Sequence, residues 1–541
     1  MDDLFFQTDF VAANAWRMMG LQDANPLSPS FGCLHLAYWR DKTSEFPDVR
    51  FQEGGAALGL LSLPAFDEWR AKGMLASSEE LYQGFRAALL NWQAQQYPEG
   101  CFDEWYKGER GFAATEFPMI AFGLCSLLMG EHVKAPERRI LIDVMTKAGH
   151  WLALRHDKVK ANHEAAGAAA MALAWKATGE ETFLKAAQGM MADTLSRQTE
   201  EGWFPEVGGM DLGYCSVLLD YAMLYVEVTG DQSPLPAMRK LFAFMAPHIE
   251  PDLTIMAEAG LCLNPYVSRL GFGLLSAHDE AAASLTGNLR EQSPGLQGLT
   301  PYLADDLRFA RWSYLPLCCW LMKDGFKTAA GGMAYPQGWT KRQSAAIAAY
   351  HQNDLHVFFS PAGGGAVRVY HGQRRLLDDP GLAVTGAGGG FSGGGYDPER
   401  AVAWEGNGAV LTSSLGPAGF FYPSFLSRLM LRLGCITPWS SRLLRSLIDA
   451  YRLKKRTAIN QSAAPLAGEG GYVFTRTIAI EDRQVAISDE LQGAGGVQVL
   501  CLARDANGLI APEPMAMASE RLRLAKAVEA DGRVTLRIVS P

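Results

Sequence analysis

The sequence predicts a multidomain α and β chain: an N-terminal (α/α) incomplete toroid followed by an antiparallel β-sandwich domain. Three observations carry this. From Glu53 to about Lys323, apolar residues recur at three- and four-residue spacing, the period of helices with a buried face. Within that stretch Gly130-Glu131, Gly179-Glu180 and Gly230-Asp231 each close an apolar run at intervals of roughly fifty residues, a length that fits one helical hairpin per repeat. After His351 the period becomes two, as in LHVFFS, GAVRVYHG, YVFTRTIAI and VTLRIVS, which reads as strands. The expected organisation is a toroid over 1–330, a linker over 331–350 and a β-domain over 351–541, with a basic helical insertion at about 421–456.

Composition bounds the function. The chain has 541 residues, 48% hydrophobic and 20% charged, ordinary for a folded globular protein. A net charge of -9 argues against nucleic acid as partner and requires a local basic cleft for any anionic ligand. The nine cysteines are scattered without a C-x-x-C pair, which suits reduced, buried thiols. The start MDDLFFQTDF lacks the basic and apolar regions of a secretory leader. The expected location is therefore the cytoplasm, with the inner membrane face as a peripheral site, or the periplasm if a leader has been removed. Oligomeric state is not legible.

Taken in order, residues 1–50 mix short helical signals with turn chemistry. HLAYWRDKTSEFPDVRFQEGG is dense in aromatic and polar residues, which suits a cleft mouth and nominates Trp39 and Arg40 as substrate contacts; simple packing is the alternative. LYQGFRAALLNWQAQ, FPMIAFGLCSLLMG and LIDVMTKAGHWLALR follow as helices. Glu99-Gly-Cys-Phe-Asp-Glu104 is echoed two periods later by Glu201-Gly-Trp-Phe-Pro-Glu206. The helices opening near Asn162 and Tyr214 both end in Thr-Gly-acid, at Thr178-Gly179-Glu180 and Thr229-Gly230-Asp231. His163 and Tyr214 each lie 16 residues before the closing glycine, so parallel inner helices would bring them to one rim. In the β-domain, GAGGGFSGGGYD is too rich in glycine for a strand interior and reads as a mobile loop. The insertion FFYPSFLSRLMLRLGCITPWSSRLLRSLIDAYRLKKR has eight basic residues and one acid, Asp449. It suits an anionic membrane surface or polymer; a docked hairpin with solvated arginines is the alternative.

Candidate chemistry gathers at that rim. Elimination across a uronic acid needs a neutralised carboxylate, a base for the α-proton and an acid for the departing oxygen. Asn162 and His163 can donate to the carboxylate and to the charge developing on it. Tyr214 can act as acid, or as base if its reference pKa of about 10 falls by roughly two to three units, about 3–4 kcal/mol. A helix N-terminus supplies at most ~1–2 kcal/mol of that, so a cation would have to supply the rest. The structural alternatives are an N-cap for Asn162, a half-buried imidazole for His163, and a core stripe with Leu218, Tyr221 and Tyr225 for Tyr214. The loop Phe102–Arg110 combines carboxylates, aromatics and a cation, nominating Glu104, Trp105 and Arg110, with Glu116 on the following helix, as substrate contacts. Glu104 and Glu206 are the first carboxylate pair to consider for glycoside hydrolysis. No HExxH, GxSxG, dinucleotide fingerprint or metal-ligand spacing occurs, so no cofactor is expected; a structural divalent metal assembled from distant residues stays open.

The order of a helical toroid, a linker and a β-domain, with Asn162-His163 opening one helix and Tyr214 a later one, resembles heparinase II/III-like proteins. The YPEGCFDEWYKGERGF loop and the DLGYCSVLLDYAMLY helix carry the same likeness. The resemblance covers most of the chain through short motifs. It implies a polysaccharide lyase that cleaves a uronate-containing glycan by β-elimination, with Asn162 and His163 near the carboxylate and Tyr214 as acid or acid/base. It also implies a catalytic histidine from the β-domain, for which His356 in HQNDLHVFF is the counterpart. The basic insertion departs from a simple degradative enzyme and points toward surface-polysaccharide metabolism. The competing expectations are a glycoside hydrolase on the same scaffold and a non-catalytic, membrane-associated glycan-binding or assembly protein.

Overall fold

The computed structural model describes residues 8–264, 267–291, 305–329, 334–386, 389–393, 396–417, 424–455, 472–481, 484–492, 498–501, 504–505, 508–509, 515–516, 521–529 and 534–539. The helices are α1 (Thr8–Ala13), α2 (Ala15–Leu21), α3 (Leu36–Trp39), α4 (Glu53–Leu61), α5 (Asp67–Ala71), α6 (Ser78–Gln95), α7 (Phe112–Met129), α8 (Ala135–Leu152), α9 (Ala161–Thr178), α10 (Glu181–Ser196), α11 (Leu212–Thr229), α12 (Leu235–Met245), α13 (Leu270–Ser276), α14 (Glu280–Glu291), α15 (Asp306–Trp312), α16 (Tyr314–Met322), α17 (Phe425–Gly434) and α18 (Pro438–Lys455).

An inner ring runs through α4, α7, α9, α11, α13 and α16, each packed on the next, with α16 returning to α4. Sequence explains which helices go inside. In α9 every residue from Ala161 to Ala174 is buried; after Asn162, His163 and Glu164 its side chains are small or apolar and present no polar face. Outer helices such as α8 and α10 bury only one stripe. The window containing α7 is long and apolar enough to cross a membrane, yet 89% of it is buried inside the protein.

The repeat legible in the sequence is a repeat of hydrogen bonds. Gly179 and Gly230 close α9 and α11 at φ 77° and 75°, the left-handed conformation that glycine adopts without strain. At both ends the threonine hydroxyl donates four residues back and accepts from the next acidic residue's N–H. Gly130 differs, at φ 53° and ψ -126°. The Glu-Gly echo is equally structural. Gln96 donates to Gly100 O and Val144 O, and Gln198 donates to Gly202 O and Ala237 O. A β-carbon at Gly100 would fall 2.1 Å from Lys147 O, and one at Gly202 would fall 2.7 Å from Lys240 O. Only glycine lets this turn meet the outer helix.

The strands are β1 (Gly338–Arg342), β2 (Ile347–Gln352), β3 (Leu355–Ser360), β4 (Ala366–His371), β5 (Arg374–Asp379), β6 (Leu382–Gly386), β7 (Gly389–Ser392), β8 (Val402–Glu405), β9 (Gly408–Ser414), β10 (Gly416–Pro417), β11 (Val473–Glu481), β12 (Gln484–Gln492), β13 (Gln498–Cys501), β14 (Arg504–Asp505), β15 (Gly508–Leu509), β16 (Met515–Ala516), β17 (Arg521–Glu529) and β18 (Val534–Val539). All pairings are antiparallel, in sheets ordered β1-β2-β3-β4-β5-β14-β15, β10-β7-β6-β13-β16 and β18-β17-β12-β11-β9-β8. Val357, Phe359, Val367 and Val369 of the first sheet share a core with Leu411, Ile478 and Ile487 of the third, which makes a sandwich. The alternate side chains Ala349, Phe358 and Tyr370 join the toroid core. The first sheet is therefore buried on both faces, and β3 is buried throughout.

Two expectations change. β1 and β2 lie largely within 331–350, so much of the stretch read as linker is already sheet. Part of the glycine-rich tract, Gly389–Ser392, is β7, paired with β6 and β10; backbone pairing does not need side chains there. Residues 387–388 and 394–395 of that tract lie outside the described residues, as do 421–423 and 456 of the expected insertion.

Candidate active site

The site is built at the N-terminal rim of the inner helices. Asp211 caps α11, its carboxylate accepting from Tyr214 N at 2.9 Å. Lys160, not Asn162, precedes α9 as its N-cap residue, and its own side chain makes no capping hydrogen bond. Instead Asn162 N donates to Glu206 Oε1 at 2.8 Å, so a carboxylate from the next repeat closes this helix start. The Asn162 side chain is fully buried and lies against the same Glu206 carboxylate.

His163 is buried at the same level. Its Nδ1 lies 3.3 Å from Asp157 Oδ2 and 3.5 Å from Glu116 Oε1. The tautomer carrying its proton on Nδ1 suits both carboxylates and leaves Nε2 as the basic nitrogen. Burial, with Lys160 nearby, lowers the imidazole to about 4, so it is neutral at physiological pH. Burial would raise Asp157, but His163 and Lys160 beside it hold it below its ordinary value. Burial, reinforced by Asp157, pushes Glu116 well up. Glu206 is likewise raised to about 8 by burial.

His163 and Tyr214 line one small cavity of about 40 Å³ with Lys160, Trp105, Glu109 and Arg445. Burial raises the Tyr214 phenol rather than lowering it. The shift needed for a tyrosinate base is thus reversed, and the phenol keeps its proton. Glu109 accepts from Glu104 N at 3.1 Å, Trp105 N at 2.8 Å and Arg445 at 2.9 Å. Burial, opposed by Arg445, raises it to about 7. Arg452 also lines the cavity, its Nε buried without a partner.

A cleft of about 570 Å³ adjoins this cavity and shares Glu109 and Arg445 with it. That volume falls within the range of ligand pockets, whereas the inner cavity has little more than one water's share of space. Arg110, Arg155, Lys158 and Arg442 add positive charge to the cleft, and Trp151 adds an aromatic face.

The structure brings His163, Tyr214 and Trp105 to one cavity, with Arg110 in the adjoining cleft; Asn162 and Glu116 are fully buried beside His163 and line neither. Other expected residues go elsewhere. Trp39 donates its indole N–H to Leu21 O, and Arg40 pairs with Asp41 at the surface; neither lines the cavity or the cleft. Glu104 is buried against Arg311 at 2.8 Å and Arg50 at 3.7 Å, so it braces the loop. Glu116 lies beneath His163 and supports it rather than facing a ligand. His356 shares a 2.9 Å hydrogen bond with His351 and packs on Tyr335, away from the cavity; a buried strand face absorbs it.

The β-domain contributes to the site through α18 instead. Ser441, Arg445, Ile448 and Arg452 face the toroid at three- and four-residue spacing, and the Ser441 hydroxyl donates to Gly108 O at 2.9 Å. That spacing was present in the sequence, but nothing local tells which side of a basic helix faces inward. Tyr396 also reaches the rim, accepting from Met210 N at 2.9 Å. His156, Glu164 and Asp193 are close enough to hold a metal; His156 pairs with Glu164, and Asp193 with Arg197.

No protein-family model matches the chain, and no curated protein sequence does. Among solved structures, it is similar to the chondroitin AC lyase of Streptomyces coelicolor A3 in complex with chondroitin sulphate, at 12% identity and a TM-score of 0.55, over 93% of this chain and 68% of that one. A tyrosine-to-alanine mutant of that enzyme gives 12% identity and a TM-score of 0.51 over the same shares. A family 76 glycoside hydrolase from Bacteroides thetaiotaomicron reaches 11% identity and a TM-score of 0.35, over 58% of this chain and 78% of that one, too weak to carry an argument. The fold shared with these structures is an α/α toroid followed by antiparallel sheets.

Proposed function

We propose that this chain is a polysaccharide lyase of the heparinase II/III-like type, cleaving a uronate-containing acidic glycan by β-elimination. The observation that carries this reading is the pairing, in one cation-lined cavity, of a neutral imidazole at His163 with a protonated phenol at Tyr214. Lys160, Arg445 and Arg452, which line the cavity, suit a carboxylate and the charge that develops on it. With that carboxylate neutralised, His163 Nε2 takes the α-proton. The carbon–oxygen bond on the neighbouring carbon breaks as the double bond forms. The Tyr214 hydroxyl protonates the departing glycosidic oxygen, and proton return from imidazolium to phenolate resets the pair. The cavity must widen to admit a sugar, which assigns glycan binding to the adjoining cleft.

Hydrolysis by Glu104 and Glu206 fits less well. Neither carboxylate lines the cavity or the cleft, and the carboxylate that does line both, Glu109, is tied to Arg445 and two backbone N–H groups. The two chemistries leave different products. Incubation with a panel of uronate-containing glycans should generate ultraviolet absorbance from an unsaturated uronate together with new chain ends. New reducing ends without that absorbance would establish hydrolysis; binding without cleavage would favour a glycan-binding role.

A further inference from the structure

The α17–α18 hairpin has two faces, and only one is used by the cleft. The inward face of α18 carries Ser441, Arg445, Ile448 and Arg452. Its outward face carries Trp439, Leu443, Leu447 and Tyr451, each four residues from the last and each exposed, Trp439 by 72%. On α17, Phe425, Leu426, Met430 and Leu433 form a similar stripe, with Phe425 exposed by 82%. Among the described residues, eleven of the eighteen exposed large apolar side chains fall between Phe425 and Leu453. Such concentration marks an interaction surface rather than ordinary scatter.

Charge selects the occupant. Arg428, Arg432 and Lys454 are exposed beside the apolar stripes, with Arg432 also 3.1 Å from Glu45 of the toroid. Asp449, the one acid in the hairpin, is half-buried and pairs with Arg445. A two-fold contact with a second copy through this face would bring like charges together. Basic residues bordering an apolar helical face instead match an anionic lipid surface, where the rings and leucines enter the acyl boundary and the cations meet headgroups. In a chain of net charge -9, this patch also orients the approach.

We propose that the outward face of α17 and α18 docks the protein on an anionic membrane surface, with the candidate cleft on the other side of α18. This does not depend on the chemistry assigned to the cleft. The full chain should co-sediment with phosphatidylcholine vesicles containing phosphatidylglycerol at least ten-fold more than with phosphatidylcholine alone. Leu443→Glu with Leu447→Glu should remove that binding while leaving the circular dichroism melt unchanged, since both side chains are exposed and outside the cleft. Arg428→Glu should weaken binding most at low salt. The proposal is overturned if anionic vesicles do not bind, or if the double variant binds as well as the parent. It is also overturned if the chain forms a dimer that the double variant splits, without vesicle binding.

Discussion

Arg445 of α18 donates to Glu109 at 2.9 Å, and this one ion pair joins an insertion of the β-domain to a loop of the toroid 336 residues earlier. The carboxylate is buried and the guanidinium about three-quarters so. Removing one partner leaves the other buried without compensation, which costs more than the pair contributes net. Arg445→Ala and Glu109→Gln should each weaken glycan binding, seen as a raised KM. A double-mutant cycle on urea stability should show a coupling of about 0.5–3 kcal/mol. Additive effects would mean that α18 is held by other contacts, such as Ser441 to Gly108.

Tyr214→Phe tests the proton donor. Its backbone N–H anchors to Asp211, and phenylalanine keeps that bond and the ring. Turnover should fall by about 100-fold or more, with glycan affinity and melting temperature close to the parent values. Full activity would remove Tyr214 from the reaction.

The pH profile tests His163. Its imidazole is lowered to about 4, so the free base persists well below the ordinary histidine range. The acid limb of kcat/KM should lie near pH 4, and His163→Asn should abolish turnover. The same shift bears on stability. Between about pH 6.5 and 4 the unfolded chain binds the proton and the folded site resists it, so stability falls as pH falls through that window. An acid limb near 6.5 in the parent would contradict a buried neutral imidazole.

Glu206 gives the opposite sign. Its carboxyl is raised from 4.5 to about 8, so the folded chain keeps a proton that the unfolded chain has released. Stability from this group is therefore lost as pH rises from about 4.5 through 8. Glu206→Gln retains an oxygen for Asn162 N and carries no titrating proton. Urea denaturation at pH 5 and pH 9 should show the variant gaining on the parent by a few kcal/mol at the higher pH. Equal pH slopes would refute the shift.

Sequence alone determined what depends on local spacing. Period fixed the helical and strand regions, and the Thr-Gly-acid turns fixed the level of His163 and Tyr214, because a residue's height on a helix follows from counting to its cap. The Glu-Gly echo likewise marked equivalent positions in two repeats, and the structure shows both glycines meeting an outer helix's backbone there. The fate of side chains facing other elements was decided only in three dimensions. Trp39, Arg40 and His356 looked as functional as Trp105, but Trp39 turns to Leu21 O, Arg40 pairs with Asp41 at the surface and His356 packs against His351 and Tyr335. Tyr214 could not be assigned as acid or base from its neighbours in sequence, because burial by the assembled rim sets its proton affinity. Which face of α18 closes the site was decided by the toroid loop it meets: Ser441 and Arg445 find Gly108 and Glu109 there, and the apolar stripe is left facing outward.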